Sequence, residues 1–426
     1  MDTIRLNPLL KAFLVVVITV TIISTTTSYS SLQPSVRDAA EAEQGEEGEK
    51  SGSGAEDQGG PGDPGDPEDL PFDVNASSGY LMDATTGTVL YSNNANERLA
   101  PASLVKIMTL LLAFEALEEG TVSLETLVLI SENAWRTGGS KMFVLVGSEI
   151  SVENLIAGIA IVSGNDACVA IAEGLAGTEE GFIARMNQRA EDLGLDRTEF
   201  KTVHGLDAEG QFTTARDVAV LSQELVTKHP QVLAYTAEPS FTWSGITQSN
   251  TNLLIFGDAT VDGLKTGHTD VAGWSLAATA EREGMRLVSV IMGAPTRQDR
   301  RTESDKLLEY GFFNFRTGPV VSEDDQVTTA RVFRGVADFV GVGPARDLVV
   351  TVRKDEFEGL AVETDIDQFL SAPITPGDRV GTITVLKGEE VLVSGELVAQ
   401  AEVARAGLFK VIIDTIRLFF ARAFGG

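Results

Sequence analysis

Residues 101–114 read Pro-Ala-Ser-Leu-Val-Lys-Ile-Met-Thr-Leu-Leu-Leu-Ala-Phe, and the rest of the chain is organised around them. Pro101 fits a first helical turn, where its missing N–H has no intrahelical partner to lose. The apolar run that follows, from Ile107 to Phe114, predicts a helix. Ser103 and Lys106 are three apart, so on a helix they share one face. A serine is a weak nucleophile until a neighbour takes its proton. A lysine does this when burial or nearby cations hold it neutral. Alone, the tetrapeptide reads equally well as a helix cap followed by a solvated lysine; the flanking sequence decides.

On the amino-terminal side, 78–83 and 88–92 are β-prone runs around Ala84-Thr85-Thr86-Gly87 and predict a hairpin. On the other side, 142–146 reads as a short buried segment and 152–161 as an apolar helix. That helix runs into Ser163-Gly164-Asn165-Asp166, four residues that favour turns and caps. A core helix is expected over 167–175, with Cys168 as a small buried apolar residue. Further on come an amphipathic helix at 182–193, a loop at 202–207 and a helix at 213–225 capped by Thr214. In the stretch 261–269, Gly263 and Gly267 bracket a strand-like piece, and 274–280 and 286–292 are further strands. Lys265 and Thr266 on a glycine-flanked strand edge make a clamp for a carboxylate. The ammonium supplies charge, the hydroxyl a directed hydrogen bond, and Gly267 close backbone approach.

Ser103-x-x-Lys106, Ser163-x-Asn165 and Lys265-Thr266-Gly267 match, in type and order, the signature of penicillin-recognising active-site serine enzymes. The surrounding text (PASLVKIMT, GGSKMFV, SGNDA, TVHGLD, TARDVA and VDGLKTGHTDVAGWSLAATA) resembles the D-alanyl-D-alanine carboxypeptidases, the low-molecular-weight penicillin-binding proteins, over most of 72–315. The resemblance implies an α+β chain. Its catalytic domain is of the penicillin-binding-protein/β-lactamase type, an antiparallel sheet with flanking helices. A small all-β sandwich and a C-terminal amphipathic helix follow.

By the same resemblance, Ser103 attacks the carbonyl of the penultimate D-alanine and Lys106 is the general base. Ser163 and Lys265 relay a proton to the leaving D-alanine, and Asn165 holds Lys106 and the substrate amide. Lys265 and Thr266 bind the terminal carboxylate, with the N–H groups of Ser103 and His268 as the oxyanion hole. Peptidoglycan stem peptides are the implied substrates and β-lactam antibiotics the implied covalent inhibitors, with no cofactor. A β-lactamase, which adds a glutamate to activate the deacylating water, is one alternative. A D,D-endopeptidase on the same scaffold and a non-catalytic wall-binding protein are others. Some relatives carry a basic residue near Asn250-Thr251-Asn252, where this chain has none.

The 426-residue length predicts two or three domains. Arg5 and Lys11, an apolar run at 12–23 and small polar residues at 24–31 have the layout of a secretory signal, expected over 1–31. The run is short for a spanning helix, which needs roughly 20 apolar residues. Between 36 and 70 there are 12 acidic residues against Arg37 and Lys50, and no aromatic, so 32–71 reads as a disordered acidic linker. It carries −10 of the net charge of −29, and the remaining acidity argues against a nucleic-acid partner. The single cysteine cannot form an intramolecular disulfide. His204, His229 and His268 have no metal-ligand spacing, so no metal site is expected.

The catalytic domain is expected over 72–316 and the sandwich over 317–401, with strands at 327–333, 348–352, 380–386 and 390–398. No catalytic constellation falls in the sandwich, which reads as a spacer or partner-binding module. In the last stretch, 402–426, Leu408, Phe409, Ile412, Ile413, Ile416, Phe419 and Phe420 share a helical face, with Lys410, Asp414 and Arg417 opposite. That pattern suits a helix lying in a membrane interface. The expected location is therefore the outer face of the cytoplasmic membrane, after export.

Overall fold

The computed structural model describes residues 72–424. The expected signal segment and acidic linker lie outside the described residues. Strands β1 (Ser78–Asp83) and β2 (Val89–Asn93) form the expected hairpin. Its turn is drawn tight by Asp83 Oδ1, which accepts from the N–H groups of Thr85 and Thr86 at 3.0 and 2.8 Å. Three long strands follow much later: β3 (Val261–Thr269), β4 (Gly273–Arg282) and β5 (Met285–Ala294). All five make one antiparallel sheet in the order β2-β1-β5-β4-β3.

The helices named here are α1 (Lys106–Glu118), α2 (Val152–Val162), α3 (Asn165–Ala176), α4 (Glu179–Asp192), α5 (Ala215–Lys228) and α6 (Arg297–Asn314). Strand alternation assigns the two faces of the sheet. Val288, Val290 and Met292 of β5 join the core built on α1 to α5. Leu287 and Ile291 face the other way, onto Leu307, Leu308 and Phe312 of α6. A strand buried on both faces reads as an unbroken apolar run, as 287–292 nearly does. Helix α1 is apolar almost all round because it lies inside: Ile107, Met108, Leu110 and Leu111 are fully buried. Each such side chain contributes about 1.5–3 kcal/mol by leaving water.

Two expectations need correction here. The first turn of the nucleophile segment, Ala102–Val105, is a 3-10 helix that passes into α1 at Lys106. The segment 142–146 is a loop, with Met142 and Val144 buried but Phe143, Leu145 and Val146 exposed.

Beyond α6 the chain becomes all β: β6 (Phe315–Val321), β7 (Thr328–Phe333), β8 (Phe339–Pro344), β9 (Leu348–Arg353), β10 (Ala361–Ile366), β11 (Leu370–Ser371), β12 (Arg379–Lys387) and β13 (Glu390–Ala399). A six-stranded sheet, β10-β12-β13-β8-β7-β11, and the β6-β9 pair share a core that includes Val342, Leu348, Val350, Ile383 and Leu397. The sandwich is antiparallel except where β7 and β11 pair in parallel, Val332 opposite Leu370. Four side chains tie it to the catalytic sheet. Asp83 accepts from Thr86 at 2.9 Å and from Thr317 at 2.7 Å, and Thr351 closes the ring with Thr86 at 2.7 Å and Thr317 at 2.8 Å.

The last helix, α7 (Leu408–Phe424), lays its polar side on the sandwich. Lys410 pairs with Asp338 at 2.8 Å, and the buried Asp414 carboxylate accepts from the Arg334 N–H at 2.8 Å. The apolar side, including Leu408 and Phe409 at 81% exposure each, faces away. Among the described residues, no helix is long and apolar enough to cross a membrane.

Candidate active site

Three strings far apart in sequence meet beside the 3-10 turn. Ser103 lies in that turn, next to Ala102 at φ +46°. Positive φ is unfavourable for alanine and persists only where the surroundings hold it. Two glycines allow those surroundings. A Cβ on Gly267 would sit 3.2 Å from the Ala102 Cβ and 3.3 Å from the Ser103 nitrogen, so glycine lets β3 press against the turn without pushing it back. A Cβ on Gly205 would overlap the Ala102 carbonyl, so the 202–207 loop closes on the turn from the other side.

Lys106, at the start of α1, is fully buried. Its Nζ is 2.8 Å from Ser103 Oγ, 2.7 Å from Asn165 Oδ1 and 2.5 Å from the His204 carbonyl. Burial lowers its pKa to about 8, against the opposing pull of Cys168 and Asp166. A neutral amine keeps two hydrogens for Asn165 and His204, and turns its lone pair to the serine hydroxyl. Such a lysine can take the Ser103 proton.

Asn165 opens α3. Its N–H donates to the Ser140 carbonyl at 2.7 Å and its Nδ2 to the Gly138 carbonyl at 2.8 Å, which leaves Oδ1 for the lysine. Ser163, two residues earlier, ends α2 in the left-handed region at φ +60°. The break it makes separates α2 from α3 and sets the serine and the asparagine side by side at a helix junction.

On β3, Lys265 is almost wholly buried, and its pKa is pushed well below the ordinary lysine value by burial first, then by Lys106 and Arg300. Its Nζ donates to the Thr266 carbonyl at 3.0 Å. Thr266 Oγ1 lies 2.7 Å from Thr251 Oγ1. The exposed His268 ring lies against Trp274, with centroids 3.8 Å apart and the planes tilted by 32°. Cys168 is fully buried, and burial pushes its thiol up to about 12, which suits the expected packing role. His204 is held neutral, its pKa lowered to about 4 by burial and by Lys106.

Arg300 was not anticipated from the sequence. This buried residue of α6 stacks over Trp274 at 5.4 Å and donates to the Thr251 carbonyl at 3.4 Å, while its Nε has no hydrogen-bond partner. Nothing in its local sequence marks it, because its contacts, the Thr251 carbonyl and the Trp274 ring, lie far from it along the chain. The basic residue missing at 250–252 is thus matched by a guanidinium that approaches the same backbone from a different element.

A partly exposed serine bonded to a buried lysine, backed by an amide and a second buried lysine on a sheet edge, defines a serine acyl-transfer site. The chain matches the D-alanyl-D-alanine carboxypeptidase family over residues 65–296 and the C-terminal domain of penicillin-binding protein 5 over 315–405. It is 40% identical to the D-alanyl-D-alanine carboxypeptidase DacC of Escherichia coli strain K12, over 83% of this chain and 90% of the relative. Penicillin-binding protein 5 from Haemophilus influenzae superposes with a TM-score of 0.71 at 35% identity, over 79% of this chain and 99% of that one. Penicillin-binding protein D2 from Listeria monocytogenes, solved in an ampicillin-bound form, covers 57% of this chain and 98% of its own, with a TM-score of 0.52 at 32% identity. This chain belongs to the D-alanyl-D-alanine carboxypeptidase family.

Proposed function

We propose that this chain removes the terminal D-alanine from peptidoglycan pentapeptide stems, with Ser103 as nucleophile and Lys106 as general base. The observation that carries the assignment is the buried Lys106 Nζ at 2.8 Å from Ser103 Oγ. As Oγ bonds to the carbonyl carbon of the penultimate D-alanine, its proton passes to Nζ. The N–H groups of Ser103 and His268 meet the developing oxyanion, where a single donor is worth about 3–4 kcal/mol. Collapse of the tetrahedral adduct breaks the peptide C–N bond. Ser163 and Lys265 deliver a proton to the departing amine, and water then cleaves the acyl-enzyme ester. Lys265, Thr266 and the Arg300 guanidinium behind them form the positive end of the cleft, suited to a terminal carboxylate. A β-lactam carbonyl takes the same attack, but its leaving nitrogen stays tethered to the acyl group.

The division proposed for the chain is a signal segment at 1–31, a linker at 32–71, the catalytic domain at 72–316, the sandwich at 317–401 and the membrane-facing helix at 402–426. The outward apolar face of α7 supports a seat on the outer surface of the cytoplasmic membrane. The sandwich then serves as the spacer between lipid and cleft.

The test is release of D-alanine from a defined pentapeptide, paired with labelling by a fluorescent penicillin. Ser103→Ala is expected to lower both by at least about 10³-fold while the fold is kept. Labelling that persists in this variant removes Ser103 from the mechanism.

A further inference from the structure

Asp166 is fully buried beside the active site, yet it touches no reacting group. Its side chain turns towards the 138–147 loop. Oδ1 accepts from the Met142 N–H at 2.9 Å and from its own neighbour Ala167 at 3.0 Å. Oδ2 accepts from Phe143 at 2.9 Å and Val144 at 3.1 Å. Three successive amides converge on one carboxylate only where the backbone bends sharply, and Phe143 stands at φ +70°. A phenylalanine enters that region only when something imposes it. The Phe143 ring is 45% exposed, so packing of its side chain does not. Even the neighbouring glycine is shaped to the clamp: a Cβ at Gly164 would come within 2.9 Å of Asp166 Oδ1 and 3.1 Å of the Met142 nitrogen.

The clamped loop has a second contact with the site. It presents the Gly138 and Ser140 carbonyls to Asn165. The two ends of a side-chain amide are nearly the same shape, and only their partners distinguish them. With the Gly138 carbonyl in place, Nδ2 has an acceptor and Oδ1 is left for the Lys106 amine at 2.7 Å. If the loop moves away, Nδ2 loses its acceptor, and the contact with Lys106 alone is left to oppose a flip that would face the lysine with N–H groups.

We propose that Asp166 is a positioning residue for acylation: its carboxylate clamps the 138–144 loop, and the loop fixes the Asn165 amide that aims Lys106 at Ser103. The proposal rests on the roles given above to Asn165 and Lys106. Asp166 also acts on Lys106 through its charge, so the test must separate charge from clamp. In Asp166→Asn an NH₂ group replaces one acceptor oxygen and meets loop N–H groups, donor against donor.

The experiment measures the second-order rate of acylation by a fluorescent penicillin in the full chain, for wild type, Asp166→Asn, Asn165→Ala and the double variant. Asp166→Asn is expected to slow acylation about 10- to 100-fold. In the Asn165→Ala background the same change is expected to add less than about threefold, since the amide it acts through is gone. Independent, multiplying effects overturn the clamp, because charge or general stability then explains the loss. A slow Asn165→Ala with an unimpaired Asp166→Asn removes the clamp and leaves the assignment of Asn165 standing. A wild-type rate for Asn165→Ala removes both. Hydrogen exchange on the unmodified chain needs no variant to fold. The Met142, Phe143 and Val144 amides are expected to exchange at least about a hundredfold more slowly than exposed Leu145 and Val146, and equal rates overturn the proposal.

Discussion

At the candidate site, two lysine amino groups are withdrawn from water; on the last helix, seven large apolar side chains are left in it. Lys106 and Lys265 are buried, whereas Leu408, Phe409, Ile412, Ile413, Ile416, Phe419 and Phe420 are exposed and Asp414 is tucked beneath them. Both regions depart from the usual sorting of side chains, in opposite senses. The cleft sacrifices solvation of charge to obtain a lysine that can accept a proton. The helix forgoes burial of apolar surface within the chain, and its outward face is the one that the proposed seat on a membrane would cover. A departure enforced from inside, by packing on every side, signals chemistry. One left open on the outside signals a surface to be covered.

Removing the open face tests the comparison most severely. Deletion of 407–426 is expected to lower partitioning onto anionic lipid vesicles by more than about a hundredfold. D-alanine release from a soluble pentapeptide should persist. Retained vesicle binding breaks the reading of α7.

The closed region is probed by pH. Lys106 must be neutral to accept the serine proton, and its pKa is lowered to about 8. Acylation should therefore fall about tenfold for each pH unit below that value and level off above it. Stability follows the same sign. Between the folded value near 8 and the ordinary value of 10.5, the unfolded chain binds the extra proton, so the fold gains stability as pH rises through that window. An acylation rate that is flat from pH 6 to 9 removes Lys106 as the base.

The smallest effect concerns the seam between α7 and the sandwich. Asp414→Ala leaves the partly buried Arg334 N–H without its acceptor and is expected to cost about 1–2 kcal/mol in urea unfolding of the full chain. An unchanged midpoint shows that the polar side of α7 is not held there.

How far the sequence could be read follows from the range over which each feature is made. Ser103, Lys106, Ser163, Asn165, Lys265 and Thr266 were legible because each pair or triplet is local and its order along the chain is distinctive. The hairpin and the long strands β4 and β5 were legible from alternation and turn residues. Helix α4 begins at Glu179, earlier than its apolar pattern begins, because Thr178 caps it by accepting from the Gly181 N–H. Strands β6, β8 and β10 went unread. Their sequences, FRTGPVV, FVGVGP and AVETDI, carry glycine, proline or charge at positions that only sheet pairing justifies. Arg300 and Asp166 were illegible for a related reason. A guanidinium that meets the backbone of a loop almost fifty residues earlier, and a carboxylate that gathers amides from more than twenty residues away, leave no local trace.

The joint between the catalytic sheet and the sandwich has a further consequence. Asp83, Thr86, Thr351 and Thr317 close a square of four oxygen–oxygen contacts. Only three hydroxyl hydrogens are available to fill its edges, because the carboxylate brings none. With Thr86 and Thr317 both donating to Asp83, the Thr351 hydrogen has two acceptors within reach, Thr86 at 2.7 Å and Thr317 at 2.8 Å, and it can turn from one to the other while every heavy atom stays still. The seam thus carries four contacts on three hydrogens, and the Thr351 hydroxyl is the member left to choose its acceptor.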